Sequence, residues 1–326
     1  MAHASHSRGR RGPPARAGTL ALAASLLVAC STQESAEDGT PADKASSAPS
    51  TPASASAAAT PDAQAEDSEG VRARVPTLPA TDRPAALAAQ LDLAIATLRD
   101  RDAPAGDVRR AGQFQQLAVR TVATSPGEFR RKVMRRVEPE TAAVTRPAVR
   151  AAAELHRLTS PQSKLPQWRI VKAPPQEELM RYYKRAQRRT GVAWRYLAAI
   201  HLVETRMGRI RGTSTAGAKG PMQFLPSTWD IYGAGGDIND PRDAILAAAR
   251  LLRANGAPGD MRRALWHYNP SDHYVRAVSA YTRTLQLARY VYRGYWHWRV
   301  LYRHDRGTYV LPVGYPKKRA VLLHDG

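Results

Sequence analysis

The residues best suited to chemistry lie in the run AWRYLAAIHLVETRMG, Ala193 to Gly208. Leu197, Ile200 and Glu204 recur at spacings of three and four, which puts them on one helical face. A carboxyl is therefore carried among apolar side chains near a helix C-terminus. Desolvation and the negative end of the helix dipole both favour its protonated form, while Arg206, Arg209 and Arg211 act in the opposite sense. A neutral Glu in a cleft can give a proton to a leaving oxygen and later take one back, which is general acid–base chemistry. Taken alone, such a Glu is more often a salt-bridged or helix-end residue.

The loop that follows, GRIRGTSTAGAKGPMQFLPSTW, strengthens the chemical reading. Gly208, Gly212, Gly217 and Gly220 permit tight turns and close backbone approach. Ser214, Gln223 and Thr228 supply short polar groups, and Trp229 supplies a flat face for a sugar ring. A glycine-rich loop directly after a helix-terminal Glu reads as one wall of a cleft.

No second carboxylate accompanies Glu204 in this stretch, although ordinary glycosidases use a pair at defined separation. Asp230, Asp237, Asp240, Asp243 and Asp260 are explained as helix caps and turn residues. His201 and Glu204 are three apart, a spacing a metal could use, but no third ligand is identifiable. The run GAGGDINDPRD lacks the spacing and closing Glu of a calcium loop. No metal site and no cofactor is expected.

These motifs resemble the catalytic domain of the lytic transglycosylases, lysozyme-like enzymes that cleave murein, of the soluble-lytic type. That pattern is a Glu followed by Ser or Thr, a Ser-x-x-Gly-Ala-x-Gly-x-Met-Gln-x-x-Pro loop, and a later Tyr-Asn. Here they stand as Glu204-Thr205, as Ser214, Gly217, Ala218, Gly220, Met222, Gln223 and Pro226, and as Tyr268-Asn269, over about Val192–Tyr274. The sequence departs from the pattern after Asn269, where Pro270-Ser271 replaces the frequent Ala-Gly. The resemblance implies that Glu204 acts as general acid and then base on the bond between N-acetylmuramic acid and N-acetylglucosamine, with a 1,6-anhydro product and no cofactor. It places Ser214, Met222, Gln223, Tyr268, Asn269 and Trp229 on the substrate, with Tyr268 hydrogen-bonding near Glu204. Two other readings stay open: a hydrolytic muramidase of goose-lysozyme type, and a non-catalytic peptidoglycan-binding lipoprotein.

The elements that must position these groups read as mainly α. Helices are expected at Gln176–Arg189, Val192–Met207 with Gly208 as its stop, Pro226–Tyr232, Pro241–Asn255, Met261–Tyr268 and Ser271–Leu287. Upstream, Leu87, Leu91, Ile95 and Leu98 begin a helical, polar-rich region punctuated by Pro104, Pro126, Pro147 and Pro161. Downstream, the aromatic and basic run YVYRGYWHWRVLYR leads to a short strand or hairpin around Thr308–Val313.

The N-terminal part carries an address. Arg8, Arg10, Arg11 and Arg16 precede an uncharged apolar stretch of roughly 13 residues, the length of a signal-peptide core and too short to span a bilayer. It ends in Leu27-Val28-Ala29-Cys30, which looks like a lipobox with Cys30, the chain's only cysteine, as the acylated residue. The sequence thus divides into a lipoprotein signal peptide (1–30), a disordered Ala/Ser/Pro-rich linker (31–80), a helical accessory region (81–170), a lysozyme-like catalytic domain (171–290) and an aromatic/basic C-terminal extension (291–326). A linker of this kind spans on the order of 35 Å, long enough to tether an anchored enzyme. The chain of 326 residues has 49 Lys+Arg against 28 Asp+Glu, a formal net charge of +21. Export excludes nucleic acid as the natural partner of that charge and leaves peptidoglycan strands, anionic lipid and anionic wall polymers. The expected location is extracytoplasmic, lipid-anchored and facing the wall.

Overall fold

The computed structural model describes residues 74–323; the signal peptide, Cys30 and most of the linker lie outside the described residues. Four helices come first: α1 (Pro84–Arg99), α2 (Ala105–Thr124), α3 (Gly127–Met134) and α4 (Pro139–Leu158). A two-residue strand, β1 (Arg169–Ile170), leads into α5 (Gln176–Thr190) and α6 (Trp194–Thr205). Strand β2 (Ile210–Arg211) pairs antiparallel with β1, and α7 (Pro226–Tyr232), α8 (Pro241–Ala254), α9 (Met261–Tyr268), α10 (Asp272–Leu287) and α11 (Val291–Trp296) follow. An antiparallel sheet of β3 (Val300–His304), β4 (Gly307–Leu311) and β5 (Val321–Leu322) comes last. The expected mainly α class holds.

Local chemistry explains most boundaries. Pro104 and Pro126 stand immediately before α2 and α3, and Gly191 ends α5 in the left-handed conformation at φ 77°. The carboxylates of Asp240 and Asp260 and the hydroxyl of Ser271 accept backbone N–H bonds at the starts of α8, α9 and α10. Three sequence expectations need correction. Pro147 does not break a helix but lies inside α4, which packs along α10 and keeps its course through that contact. The helix bearing Glu204 ends at Thr205, before Gly208, because Arg206 and Met207 already turn left-handed. The aromatic run after Arg289 forms α11 and then β3, so the hairpin is made by β3 and β4.

Helix α6 is the axis of the core. Apart from Arg195 and Tyr196, all its residues are buried, the signature of a helix enclosed on every side. It packs against α5, α8 and α10, while α10 lies along α4, and α4 and α1 lie along α2. One continuous apolar cluster runs through these helices, from Val75 to Trp298. Glu154 ties α4 to α10 by accepting from Arg276 Nε at 3.0 Å and by pairing with His273 Nδ1 at 2.7 Å.

The last segment is stitched onto the first helices. Gln116 exchanges two bonds with the Arg299 backbone, at 2.8 and 2.7 Å, and Trp298 Nε1 donates to Gln115 Oε1 at 3.3 Å. Arg293 donates to the carbonyls of Leu98 and Asp100, and Arg303 to that of His156. α11 can approach α2 this closely because two glycines face each other. A Cβ on Gly112 would stand 2.7 Å from the Gly294 carbonyl oxygen and 2.9 Å from its Cα. Gly112→Ala should therefore lower stability by about 1–3 kcal/mol, read as a lower urea midpoint. An unchanged midpoint would mean that α11 is not seated on α2.

Candidate active site

Glu204 occupies the last full turn of α6 and is 3% exposed. Three further residues settle the helix end. Met207 N–H reaches back to the His201 carbonyl at 3.1 Å, and Arg206, Met207 and Gly208 take φ values of 53°, 61° and 79°. Such a left-handed closure satisfies terminal carbonyls, at a cost of about 1–2 kcal/mol for each residue that has a Cβ. The strain is held in place by Thr205. Its hydroxyl donates to the Pro221 carbonyl at 2.6 Å and accepts from Gly208 N–H at 3.1 Å, fastening the helix end to the glycine-rich loop.

That loop is held by its own short-range bonds. Ser214 Oγ accepts from Ala218 N–H at 3.0 Å, and Lys219 and Phe224 exchange backbone bonds at 2.8 and 2.9 Å. Gly220 has φ 74°, and a Cβ there would stand 1.9 Å from the Ile238 carbonyl oxygen, so no other residue fits without moving the chain. Gln223, itself at φ 51°, donates through Nε2 to the Gly220 carbonyl at 2.9 Å, and its Oε1 is buried without a partner.

The carboxyl of Glu204 accepts one hydrogen bond, from the Tyr274 hydroxyl to Oε1 at 2.7 Å. Tyr268, expected to hydrogen-bond near Glu204, lines the same recess but bonds the loop and not the carboxyl. The Tyr268 hydroxyl donates to the Met222 carbonyl at 2.6 Å, and its ring lies parallel to that of Tyr274, 6.3 Å away. Burial pushes the Glu204 carboxyl from 4.5 up to about 8, against the Tyr274 hydroxyl and the Arg206 charge, which both pull it down. At neutral pH the group is a buried, hydrogen-bonded acid.

Glu204 borders two recesses. The smaller, about 10 Å³, is shared with Gln223, Thr228, Tyr268 and Asn269. Gln223 Oε1 and Asn269 Oδ1 are both buried and unpartnered there, so two acceptors beside the acid lack donors. The larger, about 190 Å³, opens beside Val203, Glu204 and Arg206 and is walled by Trp168, Tyr281, Trp298 and Tyr302 together with residues of α2 and α4. No Asp or Glu other than Glu204 lines either recess among the described residues.

The residues singled out from sequence therefore separate. Gln223, Tyr268 and Asn269 surround the smaller recess with Glu204. Ser214 holds its own turn, Met222 is fully buried, and Trp229 packs edge-on against Phe224 at 5.4 Å; none of these three lines either recess. His201 is buried, with Nδ1 2.7 Å from the Tyr183 hydroxyl, and burial together with Arg211 and Arg209 holds it neutral, down to about 3. Among the described residues no three His, Cys, Asp or Glu side chains cluster as metal ligands. Sequence reasoning passed over Tyr274, Trp168 and Tyr281. A signal for Tyr274 and Tyr281 was present, since with Val278 and Leu285 they recur at helical spacing on α10, and a buried phenol needs a partner.

Residues 181–290 match the family model of the transglycosylase SLT domain. The matched segment contains α6, the loop, α9 and α10, with Glu204, Gln223, Tyr268, Asn269 and Tyr274. Among curated proteins, the chain is 35% identical over 85 residues to the membrane-bound lytic murein transglycosylase F of Thiobacillus denitrificans (strain ATCC 25259 / T1). That alignment covers 26% of this chain and only 18% of the relative. No solved structure matches. Among the described residues no helix is long and apolar enough to cross a membrane.

The protonation of Glu204 has a consequence for stability. Its folded value, about 8, lies above the 4.5 of the free group, so the folded chain keeps a proton that the unfolded chain releases between those values. The contribution is fully present below about pH 4.5 and is lost as pH rises towards 8, at up to about 1.4 kcal/mol per unit. Glu204→Gln lacks this loss. Urea midpoints at about pH 5, 6.5 and 8 should show the variant gaining on the parent at each step. A gap that stays constant across that range would refute the assignment of a neutral buried acid.

Proposed function

We propose that the chain is a peptidoglycan lytic transglycosylase that cleaves the β-1,4 bond between N-acetylmuramic acid and N-acetylglucosamine with Glu204 as its one acid–base group. The observation that carries this reading is a buried carboxyl, neutral near pH 7, with no second carboxylate among the described residues on either recess it borders. The SLT match and the curated relative support the same class. Glu204 gives its proton to the glycosidic oxygen as the bond to muramic C1 breaks. The substrate's own acetamido oxygen stabilises the cationic sugar. The Glu204 carboxylate, steadied by the Tyr274 hydroxyl and the Arg206 charge, then takes the proton from the muramic C6 hydroxyl. O6 closes onto C1 as a 1,6-anhydro ring, and no water enters.

The two unpartnered acceptors, Gln223 Oε1 and Asn269 Oδ1, share with Glu204 a recess of about 10 Å³, room for about one water. On this reading they hold a small donor beside the acid while the sugar lies in the larger recess. Ser214, Met222 and Trp229 act on this reading by shaping the loop, not by touching the sugar. The chain is further proposed to be an exported lipoprotein anchored through Cys30 and facing the wall, with the linker as its tether. Labelling with a fatty-acid probe, lost in Cys30→Ala, tests that part.

Mass spectrometry of digested sacculi tests the chemistry. Anhydromuramic ends are expected, and reducing muramic ends would assign hydrolysis instead. Glu204→Gln should lower the rate by about 10²–10⁴. Because the acid form is the active one, kcat/KM should fall as pH rises through about 8. Tyr274→Phe removes a bond that favours the charged form, so its alkaline limb should move to higher pH. A limb that stays put in Tyr274→Phe would mean that the titrating group is not Glu204.

A further inference from the structure

Most of the wall of the larger recess lies outside residues 181–290 and therefore outside the SLT match. It comes from α2, α4, the segment around Trp168, and β3. Among the described residues three guanidinium-bearing side chains, Arg120, Arg206 and Arg303, line it, and Glu204 is the only acidic group that does. Arg206 donates through Nη1 to the Leu202 carbonyl at 2.6 Å, and Arg303 through Nη1 to the His156 carbonyl at 2.8 Å and to the Thr159 carbonyl. Carbonyls carry only partial charge, and among the described residues neither Arg206 nor Arg303 has a carboxylate in ion-pair reach. His156, on the same wall, has its pKa pushed below the ordinary value by burial and by the charges of Arg303 and Arg120. The recess is thus a concave, partly desolvated place with excess positive charge, where an anionic group would be attracted more strongly than in open water.

We propose that this recess is an anion subsite in which Arg206 and Arg303 take a carboxylate carried by the glycan beside the bond that Glu204 acts on, while the half-buried Trp168 offers a face to the sugar ring. The inference rests on the proposed action on peptidoglycan and adds to it a chemical selection, for acidic over neutral N-acetylated glycans. A guanidinium pairs with a carboxylate through parallel N–H bonds, which fixes orientation as well as charge. Arg206 lines the recess beside Glu204 and its charge acts on that carboxyl, so a carboxylate paired with it would lie on the same recess as the acid. The carboxylate has two possible sources in muramic acid: the lactyl arm of a strand stripped of peptide, or the acid groups of a stem peptide. If the lactyl arm is the one bound, an amide-hydrolysing reaction must act on the strand first, because only that reaction frees this carboxylate.

The test uses the full chain carrying Glu204→Gln, which binds without turning over. Calorimetric titration compares three tetrasaccharides: neutral all-N-acetylglucosamine, alternating muramic acid with free lactyl carboxylates, and the same strand with stem peptides. At least one acidic ligand should bind about tenfold more tightly than the neutral one. Preference for the second identifies the lactyl arm, and preference for the third identifies the stem. Adding Arg206→Gln or Arg303→Gln should reduce that preference several-fold, while Arg206→Lys should retain part of it, which separates charge from any effect on folding. Equal affinity for neutral and acidic ligands, or a preference that survives both Gln substitutions, overturns the anion subsite and leaves the proposed activity standing. Binding of none of the three overturns both.

Discussion

The structure depends on keeping one carboxyl out of water at the end of a helix that is buried on nearly every side. Desolvating an ionised carboxylate without a matched cation costs several kcal/mol, and the fold meets this by leaving the proton on. Everything next to Glu204 is arranged for that compromise. Tyr274 supplies one neutral donor at 2.7 Å, enough to fix the carboxyl's orientation. Arg206 is near enough to lower the cost of ionisation but forms no ion pair with it. A full salt bridge would hold the group charged and unable to donate; an entirely apolar pocket would keep it from ever releasing the proton. The intermediate arrangement allows both states.

The surrounding chain transmits this constraint. Thr205 and Tyr268 bond to the Pro221 and Met222 carbonyls, so α6 and α9 grip adjacent peptide units of the same loop. Tyr268 in turn lies parallel to Tyr274, which bonds Glu204. Acid, loop and Tyr-Asn corner are therefore linked by a short series of buried contacts. This explains why Met222 and Ser214 accompany Glu204 in the motif without reaching its recesses. Their part is to give the loop one conformation, in which Gln223 is left-handed and its Oε1 is unpaired.

Periodicity made the helices legible, because apolar spacing of three and four, proline starts and Asp or Ser caps are local signals. The boundaries of α7 and α9 follow directly from them. The same local logic misplaced the end of α6: Gly208 is the residue best able to turn left-handed, yet Arg206 and Met207 do so first because Thr205 holds the turn. Pro147 misled for a similar reason, since packing between α4 and α10 overrides a local preference. Glu204, Gln223, Tyr268 and Asn269 could be grouped from motif order alone. Tyr274 could not be paired with Glu204 that way, because the hydrogen bond spans 70 positions and depends on how α10 lies across α6. The larger recess was still less accessible, for its walls come from segments that carry no motif.

Those segments bear on the surroundings of the SLT-matched residues in this chain. A family match that stops at residue 290 invites the view that the flanks are accessories. The interactions argue otherwise. Gln115 and Gln116, both buried on α2, spend their side-chain bonds on Trp298 and Arg299, and Trp298 packs 5.7 Å from Tyr281 of α10. Tyr281 and Trp298 line the same recess as Glu204. A buried Gln whose partner is removed is left with unsatisfied polar atoms, so the first helices and the last sheet stabilise each other through groups that cannot easily be exposed. The shape of the space beside the acid is thereby set by contacts between the two ends of the described chain. A domain with the same central motif and different flanks would keep the buried Glu204 and its Tyr274 bond but border them with a recess of different shape.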